Sequence, residues 1–169
     1  MPPEVVEPDS FSPDAREFLR LLNVHTVRFM IVGGEAVIFY GHIRLTGDVD
    51  VFFDRTSANA ARLFEALGAF WRGVIPGLSG PSELENPGIV FQFGVPPNRI
   101  DLLNDIDGIE FAAAWPRRTE VVLGEGPDQT RYAYIGLDDL IENKRASGRP
   151  KDLGDLPFLL AARQSRLIR

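Results

Sequence analysis

Two aspartates separated by a single residue are the clearest chemical feature of the sequence. Asp48 and Asp50 flank Val49 and lead into the apolar run Val51–Phe53. Because side chains at positions i and i+2 of a strand project from the same face, the two carboxylates are expected side by side. Adjacent carboxylates repel unless a cation lies between them, and hard oxygen ligands suit Mg²⁺ or Mn²⁺. The spacing predicts a divalent-metal site that also binds phosphate groups, with a turn-capping pair at a strand end as the alternative.

Asp101 offers a third carboxylate farther along the chain. It lies among apolar residues in the run Arg99–Leu103, which is typical of a buried strand. Three acids on neighbouring strands can hold two metal ions about 3.5–4 Å apart and promote in-line displacement at phosphorus. We therefore expect Asp101 to join the first pair as a metal ligand. The alternative assigns it to a turn, since further Asn and Asp residues follow it.

A glycine pair precedes the aspartates. Gly33 and Gly34 follow the β-branched and aromatic run 27–32 and precede a helical segment over 35–40. Glycines at a strand-to-helix turn let backbone N–H groups approach a phosphate, and the helix N-terminus adds a favourable dipole. A turn that requires positive φ explains the pair equally well. The next residue, Glu35, is explained by the helix dipole alone.

Hydrophobic periodicity and turn signals place these residues among alternating strands and helices. The irregular alternation favours an α/β (α+β) fold in which a mixed β-sheet is flanked by helices. We predict one domain over residues 1–169, with a flexible arm over 1–11, C-terminal helices over 137–169 and a loop or lid over 73–88. Strands are predicted over 27–32, 49–53, 89–93, 99–103, 120–123 and 132–135, and helices over 13–23, 35–40, 56–67, 109–115, 137–146 and 152–164.

The composition excludes several classes of protein and site. The chain has 169 residues, 44% hydrophobic and 25% charged, which is typical of one globular domain. Because it has no Cys and two His, disulfides, thiolate nucleophiles, iron–sulfur clusters and histidine-rich metal sites are excluded. No apolar run nears the ~20 residues needed to cross a bilayer, the first residues do not resemble a signal peptide, and no P-loop motif occurs. These features predict a cytoplasmic protein without a membrane partner.

The charge of the chain is unevenly distributed. The formal net charge is −6, but residues 140–169 carry seven basic and three acidic residues, a balance of +4 that leaves −10 for residues 1–139. Broad adhesion to nucleic acid is therefore not expected, and any RNA contact is predicted to be confined to the C-terminal segment. The alternative is a solvated helix whose basic last turn complements its macrodipole.

The order of these motifs resembles that of the DNA polymerase β-like nucleotidyltransferase superfamily, which has a glycine turn, then Asp-x-Asp, then a distal acid on a third strand. The stretch from Gly33 through His42, Arg44 and Thr46 to Asp50 is similar to the minimal bacterial nucleotidyltransferases. Among these it resembles the abortive-infection toxin type and small antibiotic-modifying relatives. The later segment 144–153 is similar to the lysine-bearing helices of the same group. The resemblance covers residues 27–156.

The resemblance implies a nucleotidyltransferase fold and a reaction. A nucleoside monophosphate would pass from a nucleoside triphosphate to a hydroxyl or phosphate acceptor on RNA, a protein or a small molecule, with release of pyrophosphate. Mg²⁺ or Mn²⁺ would be the cofactor, and the likeness to toxins implies an antitoxin partner. The implied metal ligands and catalytic residues are Asp48, Asp50 and Asp101, the last assisting deprotonation of the acceptor, and the implied nucleotide contacts are Gly33, Gly34, Thr46, Lys144 and Lys151.

Two other functions remain open. The sequence shows no sizeable helical domain after the catalytic half, a feature that larger relatives use to grip the acceptor. This favours a catalytically inactive nucleotide- or partner-binding module, whereas the retained acids favour an enzyme. A structural subunit would instead expose a sizeable apolar patch. Lys144 and Lys151 are equally compatible with solvated lysines, and His42 is predicted to be a hydrogen-bond partner at a helix end rather than a base.

Overall fold

The computed structural model describes residues 4–6, 11–42, 47–96 and 98–168. In this part of the chain a single β-sheet is combined with helices, as the sequence predicted. The strands are β1 (Glu4–Val6), β2 (Phe29–Val32), β3 (Asp48–Phe53), β4 (Val90–Phe93), β5 (Arg99–Leu103), β6 (Thr119–Leu123) and β7 (Thr130–Tyr134). The helices are α1 (Pro13–Val24), α2 (Gly33–Phe39), α3 (Ser57–Trp71), α4 (Phe111–Ala114), α5 (Leu137–Ser147) and α6 (Pro150–Ile168).

The sheet is mixed, with the strand order β1-β6-β7-β2-β3-β5-β4. Strand β3 pairs antiparallel with β2 and parallel with β5. The β4–β5 and β6–β7 pairs are antiparallel, whereas β2–β7 and β1–β6 are parallel. Strands β2, β3 and β5, which carry the candidate site, thus lie side by side within the sheet. None of the helices in the described part of the chain is long and apolar enough to cross a membrane.

Burial explains why the central strands form where they do. All four residues of β2 are buried, and β3 places Val49 and Val51 in the core while Asp48 and Asp50 remain half-buried. This alternation is the expected period of a strand with one polar face. Helix α1 begins after Ser12, whose Oγ accepts a hydrogen bond from the N–H of Ala15 at 3.2 Å.

Two buried asparagines fasten the loops around the sheet. The side chain of Asn59 hydrogen-bonds the backbone N–H and C=O of Arg28 and the carbonyl of Asp54. Asn104 accepts from the N–H of Gly88 and donates to the carbonyls of Leu84 and Asn86. Buried amides are stable when their donors and acceptors are satisfied in this way.

The predicted flexible arm over 1–11 includes a strand where the structure describes it. Residues 4–6 form β1, which pairs in parallel with β6, and Phe11 is buried against Tyr132. An isolated three-residue strand has too weak a sequence pattern to be recognised, since its stability comes from its neighbour in the sheet. The remaining residues of the arm lie outside the described residues.

Other predicted boundaries shift because packing overrides local signals. Helix α3 continues past Gly68 to Trp71, since Phe70 and Trp71 pack against the core, and Arg72 ends it with a φ of 54°. Residues 73–88 contain no α-helix or strand, as predicted, but a 3₁₀ turn over Pro81–Glu85 buries Leu84 completely, so that end of the segment is not a lid. The predicted break between the last two helices is confirmed at Gly148, whose φ is 63°.

Candidate active site

The register of two parallel strands brings the predicted aspartates together. Asp50 of β3 pairs with Asp101 of β5, and Asp48 pairs with Arg99. Paired residues on adjacent strands share a face of the sheet and lie about 4.7–4.9 Å apart in the hydrogen-bonding direction. The side chains of Asp48, Asp50, Arg99 and Asp101 therefore form one cluster, which we call the carboxylate cluster.

Gly33 lies against this cluster and has no room for a side chain. It follows β2 directly, where Val32 pairs with Asp50, and it adopts a φ of +65°. A Cβ at this position would lie 2.0 Å from Oδ2 of Asp50. Both the positive φ and the close approach require glycine. Gly34 is the second residue of α2 and is half-buried beside it.

Arg99 binds two of the three carboxylates. Its Nε donates to Oδ1 of Asp101 at 2.7 Å, and its Nη2 donates to Oδ2 of Asp101 at 3.0 Å. The same Nη2 lies 3.0 Å from Oδ2 of Asp48. Bidentate pairs of this kind are the strongest and most directional ion pairs in proteins.

The third carboxylate, that of Asp50, is surrounded by more negative than positive charge. The pKa of Asp50 is raised to about 6. Burial is the largest cause, followed by the charge of Asp101, the hydrogen bond between Asp50 and Asp101, and the charge of Asp48. The charge of Lys144 acts in the opposite direction and is the smallest of these effects. Asp50 is therefore the member of the cluster whose charge is least compensated.

Glu35 extends the acidic surface. It is the third residue of α2 and is half-buried. Burial and the charge of Asp50 together raise its pKa to about 7. The helix dipole, which alone explained this residue in the sequence, would lower the pKa; the burial and the nearby carboxylate outweigh it.

Lys144 is neither a solvated lysine nor free to meet a phosphate directly. It is 4% exposed, and its Nζ lies 2.7 Å from Asp152 and 3.2 Å from Asp155. Burial alone would raise the pKa of Asp152, but hydrogen bonds from Lys144, Ser147 and Arg149 lower it to about 2. This network joins α5 to α6. It lies close enough to the carboxylate cluster for the charge of Lys144 to lower the pKa of Asp50.

His42 connects the end of α2 to the same network. Its backbone N–H donates to the carbonyl of Val37 at 3.2 Å, so the predicted helix-end hydrogen bond is present. Its ring is stacked on Phe158 with a centroid distance of 3.6 Å, and its Nδ1 lies 3.4 Å from Asp155. The histidine thus packs against α6.

Of the remaining predicted residues, the structure describes Lys151, which is not brought to the cluster. Lys151 is exposed on the first turn of α6, and within the described residues it makes no ion pair with the aspartates. Thr46 and Arg44 lie outside the described residues.

The three carboxylates are suitable ligands for a divalent cation, but two of them are already bound to Arg99. Three carboxylates share one face, and burial together with the two neighbouring carboxylates raises the pKa of Asp50. In the ranges that the structure describes, no three acidic or histidine side chains stand where they could hold a metal ion together. The guanidinium of Arg99 instead lies between Asp48 and Asp101.

Sequence reasoning missed Arg99 and the involvement of Glu35. The alternation that aligns Asp48 with Asp50 also aligns Arg99 with Asp101, so the arginine could have been found from its spacing. Glu35 directly follows the glycine pair, but its proximity to Asp50 depends on the β2–β3 register, which the sequence does not specify.

A known protein family covers most of the chain, including the strands that carry the carboxylate cluster. No curated protein matches the chain. Residues 14–158 match the model of a family described as "Nucleotidyltransferase of unknown function (DUF6036)". The match includes β2, β3 and β5, both predicted glycines and all three aspartates. The chain therefore belongs to this family of nucleotidyltransferases of unknown function.

Proposed function

We propose that the chain is a metal-dependent nucleotidyltransferase that moves a nucleoside monophosphate from a nucleoside triphosphate to a hydroxyl or phosphate acceptor. One observation carries the proposal: Asp50 and Asp101 are paired across β3 and β5, with Asp48 on the same face and Gly33 packed beneath Asp50. Membership of the nucleotidyltransferase family supports the same reaction class.

The carboxylate cluster would hold Mg²⁺ or Mn²⁺ through Asp48, Asp50 and Asp101. When bound, the cation would neutralise the phosphate oxygens and lower the repulsion between an anionic nucleophile and phosphorus. Gly33 and Gly34 would let the backbone approach the triphosphate, because neither has a side chain in the way. Lys144 would contribute long-range positive charge from its network rather than direct contact with a phosphate.

The reaction balances as a displacement at the α-phosphorus. The acceptor oxygen forms a bond to the α-phosphorus, and the bond from that phosphorus to the bridging oxygen breaks. Pyrophosphate leaves with the bond electrons. Asp101 would take the proton of an acceptor hydroxyl, which requires that its carboxylate be released from Arg99.

Transfer of label from each α-phosphate-labelled triphosphate to tRNA, total RNA, protein and small hydroxyl compounds tests the proposal. Asp48→Asn and Asp50→Asn should each reduce transfer by at least about 10²-fold, since each removes a charge that the transition state needs. Asp138→Asn is the matched control because its side chain is 75% exposed on α5. Transfer that survives unchanged in Asp50→Asn would contradict the proposal, and labelled tRNA would favour the toxin-like acceptor.

A nucleotide-binding module without turnover is the second candidate. The observation that favours it is Arg99, whose single positive charge is already paired with two of the three carboxylates. Calorimetric titration with triphosphate and Mg²⁺ separates the two functions. Binding without transfer to any acceptor would support the module, whereas binding with transfer supports the enzyme.

A further inference from the structure

Arg99 occupies the space between two of the three carboxylates assigned to metal binding. Its Nη2 is 3.0 Å from Oδ2 of Asp48 and 3.0 Å from Oδ2 of Asp101, and its Nε is 2.7 Å from Oδ1 of Asp101. The guanidinium thus connects carboxylates from two different strands, β3 and β5. It binds both oxygens of Asp101.

This ion pair differs from an ordinary surface pair in its burial. The side chain of Asp101 is 10% exposed and that of Arg99 is 28% exposed, so solvent screens their interaction only partly. A guanidinium stays protonated in proteins, so its positive charge cannot be lost in place. A second cation that contacts the same oxygens would be repelled by it.

We propose that Arg99 is an internal counterion that exchanges with the divalent cation. It offsets one of the two negative charges of Asp48 and Asp101 in the metal-free protein, and its side chain leaves these carboxylates when the cation binds them. The inference rests on the proposed function, because the exchanged cation is the one that the transfer reaction needs. Its consequence is that Arg99 lowers the affinity of the free protein for metal.

The chain supplies a matched control in an ion pair outside the cluster. Arg117 donates to both oxygens of Asp139 through the same two nitrogen atoms, Nε at 2.9 Å and Nη2 at 2.8 Å. Asp139 is buried, as Asp101 is. The two pairs therefore share their geometry, but only Arg99 bridges to a second carboxylate of the cluster.

The first experiment uses the unmodified protein. In ¹⁵N-labelled protein, the Nε–H resonance of Arg99 reports its hydrogen bond to Asp101. Saturating Mg²⁺ should shift or abolish this resonance and leave that of Arg117 unchanged. A resonance of Arg99 that stays in place while Mg²⁺ binds would overturn the inference.

The second experiment measures Mn²⁺ affinity by electron paramagnetic resonance. Arg99→Gln should bind Mn²⁺ at least about tenfold more tightly than the unmodified protein or Arg117→Gln, because a competing charge has been removed. Arg99→Lys, which keeps a charge but cannot bridge bidentately, should fall between them. Should Arg99→Gln fail to fold, the Mn²⁺ affinity of Arg99→Lys and the resonance experiment still test the exchange of Arg99 with the cation.

The failures of the two proposals are distinguishable. If Mn²⁺ binds the unmodified protein and is lost in Asp50→Asn, but Arg99→Gln has unchanged affinity, the counterion inference is wrong and the metal site stands. If neither the unmodified protein nor any Arg99 variant binds Mn²⁺, with or without triphosphate, the metal-dependent function is wrong and the inference falls with it.

Discussion

Gly33 is the residue at which backbone conformation and site chemistry depend on each other most directly. Its φ of +65° already favours glycine, and a Cβ would overlap Oδ2 of Asp50. Gly33→Ala should therefore move the Asp50 carboxylate and abolish transfer. It should also cost roughly 2–5 kcal/mol of unfolding free energy, the sum of a left-handed alanine and local overpacking, as measured by urea titration.

Gly77→Ala is the matched control for the backbone contribution. Gly77 has a φ of +75°, but a Cβ there would meet nothing within 4 Å. This variant should lose only the roughly 1–2 kcal/mol expected for alanine in the left-handed region. Equal losses in the two variants would show that the approach of Asp50 to Gly33 is not tight.

Asp50 should make the protein less stable as the pH rises. Its pKa is raised from 3.8 to about 6, so the folded protein binds this proton more tightly than the unfolded chain does. The associated stability is fully present below about pH 4 and is lost as the pH rises through about 6. The unmodified protein should therefore lose stability as the pH rises, whereas Asp50→Asn should not lose this contribution. From acid to mildly alkaline pH, the unfolding free energy of Asp50→Asn should rise relative to that of the unmodified protein by roughly 1–3 kcal/mol.

Urea titrations across this pH range measure the effect. Asp138→Asn serves as the control, because it removes one negative charge from an exposed position on α5. A difference between Asp50→Asn and the unmodified protein that does not change with pH would contradict the assigned electrostatics. Added Mg²⁺ should reduce the difference, since the cation stabilises the ionised carboxylate.

At the scale of residues, the sequence predicted which carboxylates lie together better than it predicted their partners. Alternation along a strand was sufficient to place Asp48 and Asp50 on one face, and the apolar neighbours of Asp101 indicated a strand. That Arg99 bridges β3 and β5 depends on the register between them, and no local pattern specifies a register. Lys144 was assigned to phosphate, whereas its ammonium is enclosed by two aspartates of α6.

At the scale of elements, Lys144 holds α5 and α6 together. Its ammonium is buried between Asp152 and Asp155, and removing it would take a buried cationic partner from both carboxylates. Lys144→Met should cost roughly 3–5 kcal/mol of unfolding free energy, the usual loss when one partner of a buried ion pair is deleted. Chemical denaturation followed by circular dichroism provides the measurement.

A neighbouring cation on the same helix supplies the comparison. Arg145 is about half-exposed and lies 4.0 Å from Glu142, the longest ion pair on α5 among the described residues. Arg145→Met should change the unfolding free energy by no more than about 0.5 kcal/mol. Similar losses in the two variants would refute a special role for the buried network.

The elements themselves were predicted where periodicity is strong and missed where tertiary packing decides. Strands β2, β3 and β5 and the break at Gly148 follow from apolar runs and a glycine cap. Strand β1 was missed because three residues are too few to show a periodic pattern. The end of α3 was misplaced because Phe70 and Trp71, which follow Gly68, pack against the core.

At the scale of the whole molecule, part of the positive charge of residues 140–169 is paired with aspartates of the same segment. Lys144 is buried with Asp152 and Asp155, and Arg149 also pairs with Asp152. Fewer cations of this segment are therefore free to meet an acceptor than the +4 balance of residues 140–169 suggests. The predicted RNA contact would depend on arginines of α6 such as Arg166, which is exposed, and Arg163, which is half-buried and lies 3.7 Å from Asp138.

The prediction of a single domain can be tested with the two tryptophans. Trp71 packs against Phe93 of β4, whereas Trp115 is stacked on Phe111 and lies under Arg118. Unfolding should be one cooperative transition, so Trp115→Phe and Trp71→Phe proteins should each show fluorescence and circular dichroism midpoints that coincide. Separate midpoints for the two tryptophans would indicate two folding units.

Anomalous diffraction from crystals grown with Mn²⁺ and a non-hydrolysable nucleoside triphosphate would show whether the carboxylate cluster holds the cation. We expect an anomalous peak about 2.0–2.5 Å from carboxylate oxygens of both Asp50 and Asp101, with the triphosphate next to Gly33 and Gly34. Nucleotide bound elsewhere, or Mn²⁺ held without Asp50 and Asp101, would contradict this expectation.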